Sequence, residues 1–108
     1  MAEFHLEFLP AAVEDLDRVS AYYLHLAGAA SAERITDQIL TALERLTQFP
    51  YLGPLHQDPV LAAMGFRKLV AGEYVRVYKV IDQTVFVYRI VHGTRDYPKY
   101  FYERLELY

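Results

Sequence analysis

The chain has no cysteine and no tryptophan among its 108 residues. Without cysteine there is neither a disulfide staple nor a thiolate metal site, so a packed apolar core has to supply the stability. Apolar side chains make up 54 % of the residues, enough for a core in one domain spanning 1–108. The five prolines and five glycines are scattered and mark no low-complexity linker. No apolar run approaches the ~18 residues that cross a bilayer, so no membrane partner is expected. Met1-Ala2-Glu3-Phe4-His5 lacks the basic and apolar regions of a secretory signal. A cytoplasmic protein is the expectation. Basic residues are also scarce early on: residues 1–64 hold three against nine acidic ones, a net of −6. Residues 65–108 hold eight against five, a net of +3. That division argues against general nucleic-acid affinity and for one electrostatic face.

Phe4, Leu6 and Phe8 alternate with polar residues, the period of a strand with one buried face. Pro10 suits a first helical position, and Val13, Leu16, Val19, Ser20, Tyr23 and Ala27 follow at helical spacing until Gly28. Ser31 is expected to cap a second helix with Ile35, Ile39, Ala42, Leu43, Leu46 and Phe49 on its apolar stripe, ended by Pro50. Residues 50–64 form a connector in which Asp58-Pro59 starts one helical turn. Strands are expected over 66–71, 74–81 and 84–91, with turns at Gly72-Glu73 and Asp82-Gln83. A short helix or docked arm is expected in the aromatic tail from Tyr97 to Leu105. The order β-α-α-β-β-β predicts an α+β fold, a helical hairpin packed on an antiparallel sheet.

Two-residue turns set the register: Leu69 faces Arg76, Val75 meets Ile90, Val77 meets Tyr88 and Lys79 meets Phe86. On that pattern the helices cover Phe66, Val70, Val75, Val77, Tyr88 and Ile90. The opposite face would gather Arg67, Leu69, Tyr74, Arg76, Tyr78, Val85, Val87, Arg89 and Val91, with Arg76 directly across from Arg89. Like charges placed so are unfavourable by up to ~1 kcal/mol. Arginine interleaved with tyrosine suits phosphate contact and base stacking, or an acidic peptide with aromatic anchors. The bland alternative is a solvated face. A slip of one residue would move an arginine to the other side.

His92, in His92-Gly93-Thr94-Arg95-Asp96, has the titration range of a general acid or base, but alternation turns it toward the helices as a hydrogen-bonded core residue. His5, His25 and His56 have no metal-ligand spacing, and Gly28 and Gly53 are isolated rather than part of a phosphate loop. Neither metal nor cofactor is expected. Glu14, Asp15 and Asp17 read as the solvated side of the first helix.

Taken in order, the opening strand, AVEDLDRVSAYY, RITDQILTALERLTQFPYLG, GFRKLV and EYVRVYKVIDQTVFVYRIVHGTRD resemble the RelE/ParE superfamily of bacterial type II toxins over residues 3 to about 96. The RIVHGTRD ending is similar to the ParE branch. The resemblance implies a small toxin, of the kind associated with plasmid stabilisation and growth arrest. It also implies a cognate ParD-like antitoxin whose tail folds on binding and covers the groove and open sheet.

Two targets divide the superfamily. ParE-like members bind DNA gyrase and are not enzymes, whereas RelE-like members cleave messenger RNA on the ribosome. The ParE reading takes Arg67, Tyr74, Arg76, Tyr78, Arg89 and Arg95 as the partner- or target-binding face. The endoribonuclease alternative takes Arg67, Arg76, Arg95 and either Tyr100 or His92. Against it, Leu69 stands where those ribonucleases commonly carry a second basic residue, Arg76 is one residue displaced, and Phe101 competes with Tyr100 for the late tyrosine position. A third reading is an inert remnant that keeps only antitoxin binding.

Overall fold

The computed structural model describes residues 3–94 together with 97 and 98. Its elements are β1 (His5–Phe8), α1 (Pro10–Ala27), α2 (Ala29–Glu44), a 3-10 turn (Arg45–Thr47), α3 (Pro59–Ala63), β2 (Arg67–Ala71), β3 (Tyr74–Ile81) and β4 (Thr84–His92). The sheet order is β1-β4-β3-β2. The meander β2-β3-β4 is antiparallel, whereas β1 lies parallel to β4, so the four-stranded sheet is mixed. A parallel neighbour needs a long crossover connection, and the chain after β1 supplies one through the helical hairpin before returning to the far edge as β2.

Local chemistry sets the breaks. Pro10 opens α1, where its missing N–H costs nothing. Gly28 alone separates the two helices: at φ 92° and ψ 175° it adopts a backbone that side-chain-bearing residues avoid. The second helix therefore starts at Ala29 without the expected cap from Ser31. It also ends earlier than the apolar stripe suggests, at Glu44, which leaves Phe49 exposed. Asp58 caps α3 as expected, its Oδ1 accepting from the amides of Val60 and Leu61 at 3.0 and 3.1 Å. Gly72 (φ 66°) and Asp82 (φ 55°) supply the left-handed residues of the two hairpin turns.

The core is double. α1 and α2 cover one sheet face, where Ala12, Ile39, Leu43 and Leu46 meet Tyr74, Tyr78, Val85, Val87 and Ile90. Each large apolar side chain buried there contributes roughly 1.5–3 kcal/mol. On the other face Leu9, Leu61, Phe66, Val75, Val77, Tyr88 and Val91 form a second cluster, against which Met64, Phe86 and Tyr97 pack.

This arrangement corrects the expected faces. The helices lie on the Tyr74/Tyr78 side, not on the side of Val75 and Val77. The expected pairing of β2 with β3 is observed, and so is Lys79 with Phe86. Tyr78 still opposes Val87, but between Tyr78 and Val77 the register shifts: Val77 opposes Arg89, leaving Tyr88 as the extra residue of a bulge. Arg76 therefore faces Ile90, not Arg89. Alternation could not reveal which side the helices take, because β3 is central and covered on both sides.

Candidate functional site

The arginines expected on one open face occupy three different environments. Arg76 is 1 % exposed, on the helix-covered face. One terminal nitrogen donates to the carbonyls of Ala71 and Tyr74, both at 2.7 Å, and the other reaches the Gln38 carbonyl of α2 at 3.4 Å. Its Nε has no hydrogen-bond partner among the described residues. Burial lowers its pKa, as expected for a cation held only by neutral dipoles.

Arg89 is handled in the opposite way. Its Nε and a terminal nitrogen grip the Asp15 carboxylate of α1 at 2.7 and 2.9 Å. Asp15 also accepts from the Ile90 amide at 2.9 Å and from Arg18 at 3.4 Å. The bond to Asp15 raises the Arg89 pKa. Asp15 was expected on the solvated side of the helix, yet it is 5 % exposed and ties α1 to the backbone just past the β4 bulge. Its position three residues after the buried Ala12 was the available signal.

Arg67 is half-buried on β2. It donates to the Gly53 carbonyl at 2.9 Å and lies over the Tyr51 ring at 4.9 Å. Tyr78, fully buried, reaches the same segment: its hydroxyl accepts from the Gly53 amide and donates to the Pro50 carbonyl, each at 2.9 Å. Burial raises its pKa. Tyr74 is buried too, with a pKa raised to about 12 by desolvation first and by a hydrogen bond with Tyr23 second. The six-residue binding face thus does not assemble as an exposed surface: Tyr74, Arg76 and Tyr78 are interior. Arg95 and Tyr100 lie outside the described residues.

His92 ends β4 half-buried rather than in the core. Its Nδ1 is 2.8 Å from the Thr94 hydroxyl, its Nε2 is 4.0 Å from Glu73, and its ring meets Tyr74 edge-on. With Arg18 and Tyr22 of α1 it lines a small cleft of about 180 Å³. A wider open groove of about 650 Å³ runs along α2 past Arg34, Gln38 and Arg45. Among the described residues no group of three His, Asp or Glu side chains gathers to hold a metal ion. Nor is any described helix long and apolar enough to cross a membrane.

One surface went unanticipated. The connector between the 3-10 turn and α3 exposes Phe49, Tyr51, Leu52 and Leu55, each at least 42 % accessible. The visible signal was an apolar run inside a proline-marked loop, where polar residues are the rule.

A helical hairpin on a β-meander, with the first strand joined parallel to the last, is the fold of RelE/ParE toxins. One chain of a chromosomal ParDE toxin–antitoxin system from P. aeruginosa superimposes with a TM-score of 0.72 at 21 % identity, over 83 % of this chain and 96 % of that one. A chain of the RelBE2 toxin–antitoxin complex from Mycobacterium tuberculosis gives a TM-score of 0.63 at 21 % identity, over 83 % and 98 %. No curated protein matches the sequence. The family model for the ParE toxin of the type II toxin–antitoxin system parDE matches residues 6–97, and the chain belongs to that family.

Proposed function

We propose that this toxin acts on DNA gyrase through a protein–protein contact and is neutralised by an antitoxin that folds over it. The observation that supports this reading is how the arginines are used. Metal-free RNA cleavage needs a base, an acid and a cation around one phosphate. Here the Arg76 and Arg89 guanidiniums are committed to backbone carbonyls and to Asp15, and Arg67 is braced against Gly53. The one carboxylate beside them among the described residues, Asp15, is buried and already held by the Arg89 guanidinium and the Ile90 amide, whereas a binding protein needs only a firm surface. Growth arrest and plasmid stabilisation follow from the same reading.

One feature favours a ribonuclease instead: the cleft where His92, Arg18 and Tyr22 converge. The two are separated by inducing the chain in bacteria without its antitoxin and following thymidine and methionine incorporation over the first minutes. An early fall in thymidine incorporation, together with gyrase-cleaved DNA, upholds gyrase. An early fall in methionine incorporation that His92→Ala abolishes makes the cleft an RNA site. If neither falls while the protein accumulates, the chain keeps only its binding role.

A further inference from the structure

The connector carries exposed apolar side chains on a firmly held frame. Ten large apolar residues are exposed among those described, and four of them, Phe49, Tyr51, Leu52 and Leu55, fall within seven consecutive positions. A loop that exposed them by default would be loosely held, and this one is not. The buried Tyr78 hydroxyl binds it at Pro50 and Gly53, Arg67 binds it at Gly53, and Lys68 and Phe66 bond to Pro54 and His56 along the backbone. A Cβ on Gly53 would run into the Lys68 carbonyl, so the segment sits hard against the sheet edge. Apolar side chains on a fixed frame lose little entropy on binding, the condition for strong anchors.

Charge narrows the partner. Residues 45–72 carry Arg45, Arg67 and Lys68 against Asp58 alone, a net of +2 in a chain of −3. Asp58 Oδ1 is engaged in capping α3. Among the described residues neither Arg67 nor Lys68 has a carboxylate within ion-pair distance; Lys68 Nζ donates to the neutral Gln57 amide at 2.7 Å and Arg67 to a carbonyl. Exposed apolar anchors beside cations without counter-ions fit a peptide that places carboxylates between apolar side chains.

We propose that this patch, Tyr51, Leu52 and Leu55 flanked by Arg67 and Lys68, is where an acidic, apolar segment of the antitoxin docks. The inference rests on the toxin reading above and assigns the antitoxin a surface on the connector, away from the helix-covered arginines.

The test uses the full chain and, as probe, the purified protein encoded beside it, with affinity measured by calorimetry at two salt concentrations. Leu52→Glu/Leu55→Glu should melt like wild type, since both side chains are exposed, and should raise the dissociation constant by about 30-fold or more. Lys68→Gln should weaken binding less and flatten its salt dependence. Leu24→Glu/Leu26→Glu, on the exposed side of α1, should bind as wild type. If the connector variant binds normally, or if only the α1 variant loses affinity, the proposal is overturned. If the connector variant binds normally but no longer arrests growth, the patch is a target surface and the antitoxin assignment fails. If wild type itself does not bind the neighbouring protein, that partner and the inference built on it both fall.

Discussion

The two sides of the meander treat positive charge in opposite ways. At the α1–β4 side, Arg89 meets a buried carboxylate that also accepts from the Ile90 amide, so cation, anion and backbone donor are satisfied together. At the β2 side, Arg67, Lys68 and Arg76 are held by carbonyls and an amide, with no carboxylate among the described residues. A neutralised buried pair serves structure, because each member would be costly alone. Arg76 is buried beneath the helices, but Arg67 and Lys68, next to exposed apolar side chains, leave attraction available for a partner. The teaching of the contrast is that arginine counts say little about function until the anion beside each one is known.

Four substitutions can break the contrast, beginning with the largest effect. Asp15→Ala should cost about 3–5 kcal/mol in urea unfolding, since it strands the Arg89 guanidinium and the Ile90 amide. A cost below ~1 kcal/mol would mean that the pair is solvated and that the two sides do not differ. Arg89→Met should cost nearly as much, for it strands Asp15 instead, whereas Arg76→Met should cost less, about 1–3 kcal/mol, because it strands neutral carbonyls and not a charge. Arg76 has no carboxylate to strand, and its Nε is already unpaired. Equal losses for the two methionine variants would refute the comparison directly. Gly53→Ala comes next, with about 1–3 kcal/mol of overpacking against Lys68 and Tyr78. If it is neutral by thermal melting, the connector is not the rigid frame described.

Much of the fold was legible in the chain. The Pro10 start, the Gly28 break, the Asp58 cap and both hairpin turns each rest on local chemistry that a sequence displays. The parallel pairing of β1 was not legible, since strand neighbours depend on the whole topology. The candidate site fared less well, for two physical reasons. Period-2 alternation assumes one wet face, and β3 has none along Tyr74 to Tyr78. The Tyr88 bulge then shifts the register in mid-strand, and nothing in Val87-Tyr88-Arg89 announces it. Asp15 illustrates the same limit, because it looks like any surface acid until Arg89 arrives from 74 residues away.

The smallest effect probes whether the unpaired charge at the β2 side is felt by its neighbours. His56 is buried in the connector, its Nδ1 accepting from the Asp58 amide at 3.0 Å and its Nε2 lying 2.6 Å from the Tyr97 hydroxyl. An imidazole that accepts at Nδ1 is neutral there, and protonation would set two donors against each other. Burial first and Lys68 second lower its pKa below 6.5, with Asp58 opposing them. The unfolded chain therefore binds this proton at a higher pH than the folded one does. Stability should fall as pH drops below about 6.5, by at most ~1.4 kcal/mol per pH unit from this group, until the lowered folded pKa is passed. His56→Gln should flatten that part of the profile. Lys68→Gln should narrow it from the acid side, because removing the cation lets the folded pKa rise back toward 6.5. Were Lys68→Gln to leave the profile unchanged, the lysine would be screened by solvent, and the charge argument for the connector would have to rest on Arg67 alone.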